Sequence, residues 1–230
     1  MAGIRSSIPE AVNASTNPRR SREAAAKPTV AGIVLAAGGS TRLAPAYKLL
    51  IEIDGEPMVR RSARLALEAA LAPVVVVVGH QAQAVRATLT GLPLTFAENA
   101  EWRAGIAGSI RTGLAALPKD CAGALILLAD MPRLTPEPLH RLCAAFAANG
   151  PDSVCVPSFR GQRGNPVLWG RTHFPALAAL TGDRGGRVLF EGVRRSLIEV
   201  PMDDEAVLCD VDTPEALAAL SGTPERDMKR

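Results

Sequence analysis

Aromatic side chains are scarce: phenylalanine, tryptophan and tyrosine together make up 3% of the 230 residues, and only one is tyrosine. The core must therefore be built from alanine, leucine and valine, which suits helices packed closely on a sheet. Histidine is rarer still, and none of His80, His140 and His173 stands near a serine or cysteine motif. A Ser-His-Asp or Cys-His mechanism has no foothold here. The four cysteines, Cys121, Cys143, Cys155 and Cys209, are widely separated and form no Cys-x-x-Cys pair. That spacing excludes a zinc knuckle or a thioredoxin-type site and reads as free thiols in a reducing compartment. No apolar run is long enough to cross a bilayer, the longest being 71–78, and the first residues lack a signal-peptide core. The expectation is a cytoplasmic protein without membrane contact. A formal net charge of +3, with no basic stripe in the body of the chain, also leaves no basis for nucleic-acid binding.

What is present is apolar and regularly spaced. Hydrophobic residues make up 47% of the chain, enough for one α/β domain with a substantial core. We place that domain at 29–221, between flexible tails at 1–28 and 222–230. The first tail carries Arg19, Arg20 and Arg22 and reads either as a solvated extension or as an electrostatic contact with a partner. From Val30 onward, short apolar runs alternate with helical periodicity, the pattern of a parallel sheet covered by helices. Strands are expected at 30–37, 74–78, 94–96, 124–128, 154–156, 167–169, 197–200 and 207–209. Helices are expected at 57–70, 81–89, 105–117, 136–148, 171–180, 186–192 and from Pro214, with Asp212 or Thr213 as the last cap. The glycines of 160–166 predict a β-hairpin turn. The fold class is α/β: a Rossmann-like three-layer α/β/α sandwich with a mostly parallel sheet and a small hairpin insertion.

Ligands of open α/β sheets bind beyond the carboxyl ends of the strands, so the loops there carry the functional argument. The first is Gly38-Gly39-Ser40, followed by Arg42 and Lys48. Small residues let backbone N–H groups approach phosphate oxygens, and the two cations neutralise them; the alternative is a plain glycine turn with two solvated cations. The spacing is neither Gly-x-x-x-x-Gly-Lys-Ser/Thr nor Gly-x-Gly-x-x-Gly, which disfavours a P-loop hydrolase and an ordinary NAD site. Asp130 ends the 124–128 run and either caps a helix or holds a metal. Mg²⁺ is commonly bound by one or two carboxylates and completed by substrate phosphates, and Thr135 already stands at the cap position. Asp210 is a second candidate ligand, while Asp212 is ambiguous with a helix start. Trp102 could stack on a base or pack against Leu94 or Ile106.

Taken together, these motifs resemble the molybdenum cofactor nucleotidyltransferases, and within them the cytidylyltransferases. The resemblance covers about 30–220. It rests on Leu35-Ala36-Ala37-Gly38-x-Ser40-x-Arg42 with Lys48-Leu49-Leu50, on Asn99 to Trp102 with Gly105 and Gly108-Ser109-Ile110, and on Asp130-Met131-Pro132. Further along, Gly161 to Pro166, Gly182-Asp183-x-Gly185-x-Arg187 and Asp210-x-Asp212-Thr213-Pro214 follow in the family's order.

The resemblance implies Mg²⁺-dependent transfer of CMP from CTP to the terminal phosphate of molybdopterin, releasing pyrophosphate. It implies nucleotide contacts at Leu35, Ala36, Ala37, Gly38, Ser40, Gly79 and Ser109, with Arg42 and Lys48 on the phosphates. Asp130, with Asp210, would hold the metal, and Gly164, Asn165, Pro166 and Asp183 would face the acceptor. Arg42, Lys48 and Asp130 would carry catalysis, and a recipient molybdenum hydroxylase would be the partner. Guanylyl-transferring relatives usually carry Leu-Ala-Gly-Gly, so Ala37 favours the cytidylyl branch. After Arg42 the family usually has Met-Gly, whereas this chain has Leu43-Ala44. Rival readings are a sister transferase using GTP or another phosphorylated acceptor, an oxidoreductase of the nicotine blue oxidoreductase kind, and a non-catalytic carrier of molybdopterin.

Overall fold

The computed structural model describes residues 29–39 and 47–221. The tails at 1–28 and 222–230, and the loop 40–46 with Ser40, Arg42 and Leu43-Ala44, lie outside the described residues.

The elements run β1 (Val30–Ala36), β2 (Glu52–Ile53), β3 (Glu56–Pro57), α1 (Met58–Glu68), β4 (Val74–Val78), α2 (Ala82–Thr88), β5 (Thr95–Glu98) and α3 (Ile106–Ala115). Then follow β6 (Gly123–Leu128), α4 (Pro136–Asn149), β7 (Val154–Phe159), β8 (Gln162–Arg163), β9 (Val167–Gly170), α5 (Phe174–Ala178), β10 (Leu197–Pro201) and α6 (Pro214–Ser221). The main sheet has the order β10-β7-β9-β6-β1-β4-β5, with β8 paired to β7 beside that path. All its central pairings are parallel except those of β9, which runs antiparallel to both β6 and β7.

Buried apolar residues lie on both faces of the central strands. Val34, Val76, Leu125 and Leu127 pack with α1, α2 and α4 on one face. Their neighbours Ile33, Val75, Val77 and Ile126 pack with α3 and α5 on the other. Two helical layers around one sheet is the expected three-layer arrangement, and unbroken apolar runs such as Val74–Val78 are what a strand buried on both faces requires.

The segment 51–55 forms the hairpin β2–β3, with Asp54 and Gly55 both at positive φ. Two expectations need correction. The strand expected at 207–209 is instead a 3-10 turn, Glu205–Leu208, whose Ala206 amide donates to the Asp204 carboxylate at 2.8 Å. That carboxylate satisfies an amide a strand would have offered to a ladder. The helix expected at 186–192 shrinks to a 3-10 turn at Gly186–Leu189.

The hairpin at 160–166 forms, with Arg160 and Gly161 at positive φ, as a two-residue turn joining twisted strands demands. Its return strand is interrupted. Ser158 pairs with Arg163 and Cys155 with Leu168, so a three-residue step on β7 faces a five-residue step on the return. The surplus is taken up at Gly164-Asn165-Pro166, where the Gly164 amide donates to Pro157 and the Asn165 amide to the Val207 carbonyl.

Candidate active site

The carboxyl ends of β1 and β6, neighbours in the sheet, open into a cleft of about 700 Å³. Leu35, Ala37, Gly38 and Gly39 form one wall, and Lys48, Leu128, Asp130 and Asp212 form the floor. Trp102, Arg103, Gly105, Ile106, Ser109 and Asp183 close the far side. No side chain is needed at Gly38 for packing: a Cβ there would meet nothing within 4 Å. Among the described residues, the amides of Gly38 and Gly39 donate no hydrogen bond. Exposed, unsatisfied backbone donors on a side-chain-free turn suit an anion.

The floor is an ion cluster. Lys48 Nζ donates to Asp130 Oδ2 at 2.6 Å, to Asp212 Oδ1 at 2.7 Å and to the Val211 carbonyl at 3.1 Å. An ammonium has three protons, so Lys48 is fully committed. Asp130 keeps one oxygen in reserve: Oδ1 is buried without a hydrogen-bond partner. Burial pushes the Asp130 carboxyl above its usual range and Asp210 and Asp212 add to this, while Lys48 pulls the other way. Burial by itself would lower the Lys48 ammonium, but Asp130 and Asp212 together raise it. The two shifts differ in cause: burial raises the carboxyl, and the two neighbouring carboxylates raise the ammonium against burial. A buried carboxylate oxygen without a donor fits a cation. Among the described residues, no three His, Cys, Asp or Glu side chains form a ready cage, so a metal here would draw its remaining ligands from substrate or water.

The chain geometry explains how the cluster is held. Ala129 and Asp130 leave β6 with the Ala129 amide bonded to Leu35, the Ala129 carbonyl accepting from Ser62, and the Asp130 carbonyl accepting from the Val211 amide. Thr213 caps α6 by accepting from the Ala216 amide at 3.2 Å, while Asp212 faces Lys48. Asp210 does not line the cleft. It is exposed and belongs to a smaller pocket with Pro132, Arg133 and Cys209. The second carboxylate on Lys48 is thus Asp212, which sequence had left between cap and ligand.

Ser109 sits at the back of the cleft, buried, and accepts from Asn99 Nδ2 at 3.1 Å. Asp183 is brought in by backbone packing. Gly105, at φ +109°, lies so close to Gly182 that a Cβ would fall 2.3 Å from its carbonyl carbon, and the Ala107 amide donates to the Gly182 carbonyl. Trp102 packs with the same cluster as Ile106, whereas Leu94 belongs to the other. Its ring covers Gly39, lies 4.9 Å from the His80 ring, and carries the Arg103 guanidinium 4.1 Å above it. Tyr47 closes the stack against His80 and donates to the Ala36 carbonyl at 3.1 Å.

Ala36 is wholly buried toward α1, and Gly79 lies beneath Ala37 and Trp102, so neither lines the cleft. Gly164, Asn165 and Pro166 do not line it either. Gly164 is packed so tightly that a Cβ would fall 2.2 Å from the Val207 carbonyl oxygen. Arg103 was passed over in the sequence although it directly follows the motif at Asn99 to Trp102; its one signal was that adjacency.

Residues 32–214 match the family model described as "MobA-like NTP transferase domain". The chain belongs to this family. Among relatives of the MobA-like NTP transferase family, it is 30% identical to nicotine blue oxidoreductase of Paenarthrobacter nicotinovorans over 84% of the chain and 97% of that protein. It is 44% identical to the bifunctional protein GlmU of Anaeromyxobacter sp. (strain Fw109-5) over 51% of the chain, spanning only about a quarter of that longer protein. The crystal structure of Rv0371c from Mycobacterium tuberculosis superposes with a TM-score of 0.76 at 28% identity, covering 86% of this chain and all of that one. The same protein has also been solved in complex with manganese. A protein of similar structure has thus been solved with a metal, and the fold is shared.

Proposed function

We infer that this NTP transferase moves CMP from CTP to the terminal phosphate of molybdopterin, giving the cytosine dinucleotide and pyrophosphate. The observation that carries a nucleotidyl transfer is that one cleft, at the ends of adjacent strands, is lined both by Asp130, whose Oδ1 is orphaned, and by Gly38 and Gly39, whose amides donate no hydrogen bond among the described residues. The choice of CTP and molybdopterin rests on the motif resemblance, with Ala37 as the residue that favours cytosine.

The chemistry needs alignment more than covalent work. An oxygen of the acceptor phosphate forms a bond to the α-phosphorus as the bond from α-phosphorus to the bridging oxygen of pyrophosphate breaks. The nucleophile is already ionised, so no proton leaves and no histidine base is required. The Gly38-Gly39 turn seats the phosphates, Ser109 bounds the nucleoside end and Asp183 the acceptor end. Asp130 and Asp212 would hold Mg²⁺, which when bound supplies charge neutralisation on the transferring phosphoryl group. Arg42, from the sequence pattern, adds positive charge to the same phosphates.

A second reading is an oxidoreductase on this scaffold, favoured by the near full-length match to nicotine blue oxidoreductase. One experiment separates the two. The pure protein is incubated with molybdopterin, Mg²⁺ and each of the four ribonucleoside triphosphates, and the pterin product is weighed by mass spectrometry. Pyrophosphate release and a cytosine dinucleotide mass with CTP are expected. Equal or greater turnover with GTP overturns the base assignment, and NADPH oxidation without nucleotide transfer overturns the reaction class.

A further inference from the structure

We propose that Arg103, set over the Trp102 ring, is the cleft's open anion seat and receives the polyphosphate chain of the nucleotide, while Lys48 serves as the internal counter-ion of Asp130 and Asp212. The identity of the anion rests on the nucleotidyl transfer reading. The placement rests on the geometry alone.

Two basic side chains among the described residues line the cleft, and they are in opposite states. Lys48 has all three protons spent on Asp130, Asp212 and the Val211 carbonyl. Lending one to a phosphate would strip a partner from a largely buried carboxylate, an unfavourable exchange. Arg103 is exposed and makes no hydrogen bond or ion pair among the described residues; its guanidinium carbon lies over the Trp102 ring, 4.1 Å from the centroid. The cation–π contact holds the guanidinium over the ring while its N–H groups have no partner among the described residues, and those groups are the part which forks onto phosphate oxygens.

The support beneath is rigid. Trp102 is wedged between the His80 ring and Gly39, whose missing side chain lets the indole settle on the turn. Arg103 is therefore mounted beside the turn whose Gly38 and Gly39 amides have no acceptor among the described residues. Backbone donors on one side and a guanidinium edge on the other make a two-sided grip for a chain of phosphates. Trp102 acts as a positioning residue in this scheme.

The test uses tripolyphosphate as the probe, titrated into the full chain in EDTA and followed by calorimetry and tryptophan emission. Of the two tryptophans, Trp169 is 1% exposed in the core, so an emission change reports Trp102. Arg103→Ala should weaken binding roughly tenfold or more and abolish the emission change. Arg103→Lys should recover little of it, because an ammonium neither stacks flat nor forks. Trp102→Phe should keep most of the affinity, and Trp102→Leu should lose it with the melting temperature as the control for folding. Wild-type affinity in Arg103→Ala, or full rescue by lysine, overturns the proposal. If Lys48→Met costs more than Arg103→Ala, the division of labour is overturned. In turnover assays, Arg103→Ala should raise KM for the triphosphate more than it lowers kcat. Transfer with an unchanged KM sinks this inference and spares the reaction; weakened tripolyphosphate binding with no transfer from any triphosphate does the reverse.

Discussion

Gly38 and Gly164 stand in loops that look alike in sequence, and they are glycines for opposite reasons. A methyl at Gly38 would enter empty cleft, whereas a methyl at Gly164 would be driven into the Val207 carbonyl oxygen. The first glycine keeps space for something outside the chain; the second lets the chain close on itself. The cleft end of β1 and β6 is accordingly polar, open and short of internal partners, and the β7–β8–β9 return is closed and satisfied. Substitutions at the first should cost activity and spare the fold, and those at the second should do the opposite.

The largest expected effect comes from the cleft. Asp130→Asn should cut transfer by roughly a thousandfold, about 4 kcal/mol of transition-state stabilisation, with the melting temperature no lower than wild type. Wild-type turnover in this variant would remove Asp130 from the reaction. Next, Gly164→Ala should destabilise by about 3 kcal/mol, a fall of roughly 10 °C in melting temperature. A stable Gly164→Ala protein that has lost only acceptor affinity would mean that this loop also serves the cleft. Gly38→Ala is the matched opposite: stability unchanged or raised by about 0.5 kcal/mol, and transfer slowed about tenfold.

The smallest effect is in pH dependence. Burial holds the Asp130 carboxyl above its ordinary value of 3.8, so the folded state binds a proton more tightly there than the unfolded chain does. As pH rises from that value through the elevated folded one, ionisation costs the folded state more, and this contribution to stability falls. Asn carries no such charge. The stability of Asp130→Asn relative to wild type, measured by urea unfolding in EDTA, should therefore increase from pH 4 toward 7. A difference that is flat over this range would show that Lys48 fully compensates the buried charge.

How much of this was legible depended on whether a residue's role was local. The runs at β1, β4 and β6 announce buried strands because continuous apolar sequence has few other uses, and the order of strands with helices between them gave the layered sheet. Lys48 and Asp130 could be picked as charges beside such runs, and they do meet. The place of Asp212 could not be read, because Asp-Thr-Pro-Glu is an adequate helix start whichever residue caps it. Only the fold shows Thr213 taking the cap and Asp212 turned to Lys48. Arg103 was invisible for the same reason: its partner in the stack is adjacent in sequence, but its lack of an ion-pair partner among the described residues is a property of the assembled cleft. The turn at Glu205–Leu208 was misread because a capping carboxylate outcompeted the β-branched signal of Val207.

The antiparallel strand β9 has a consequence for how the molecule comes into being. β6 and β7 follow one another in the chain, joined by α4, yet they are not neighbours in the sheet, because β9 lies between them. While the chain is being made, Gly123 to Ile126 have no partner on that side until Val167–Gly170 has emerged and slid into the gap. For the synthesis of more than forty residues the nascent sheet exposes an apolar edge, a surface that invites pairing with another chain. A fragment ending after α4 keeps that edge permanently, and aggregation rather than a smaller soluble domain is its expected fate.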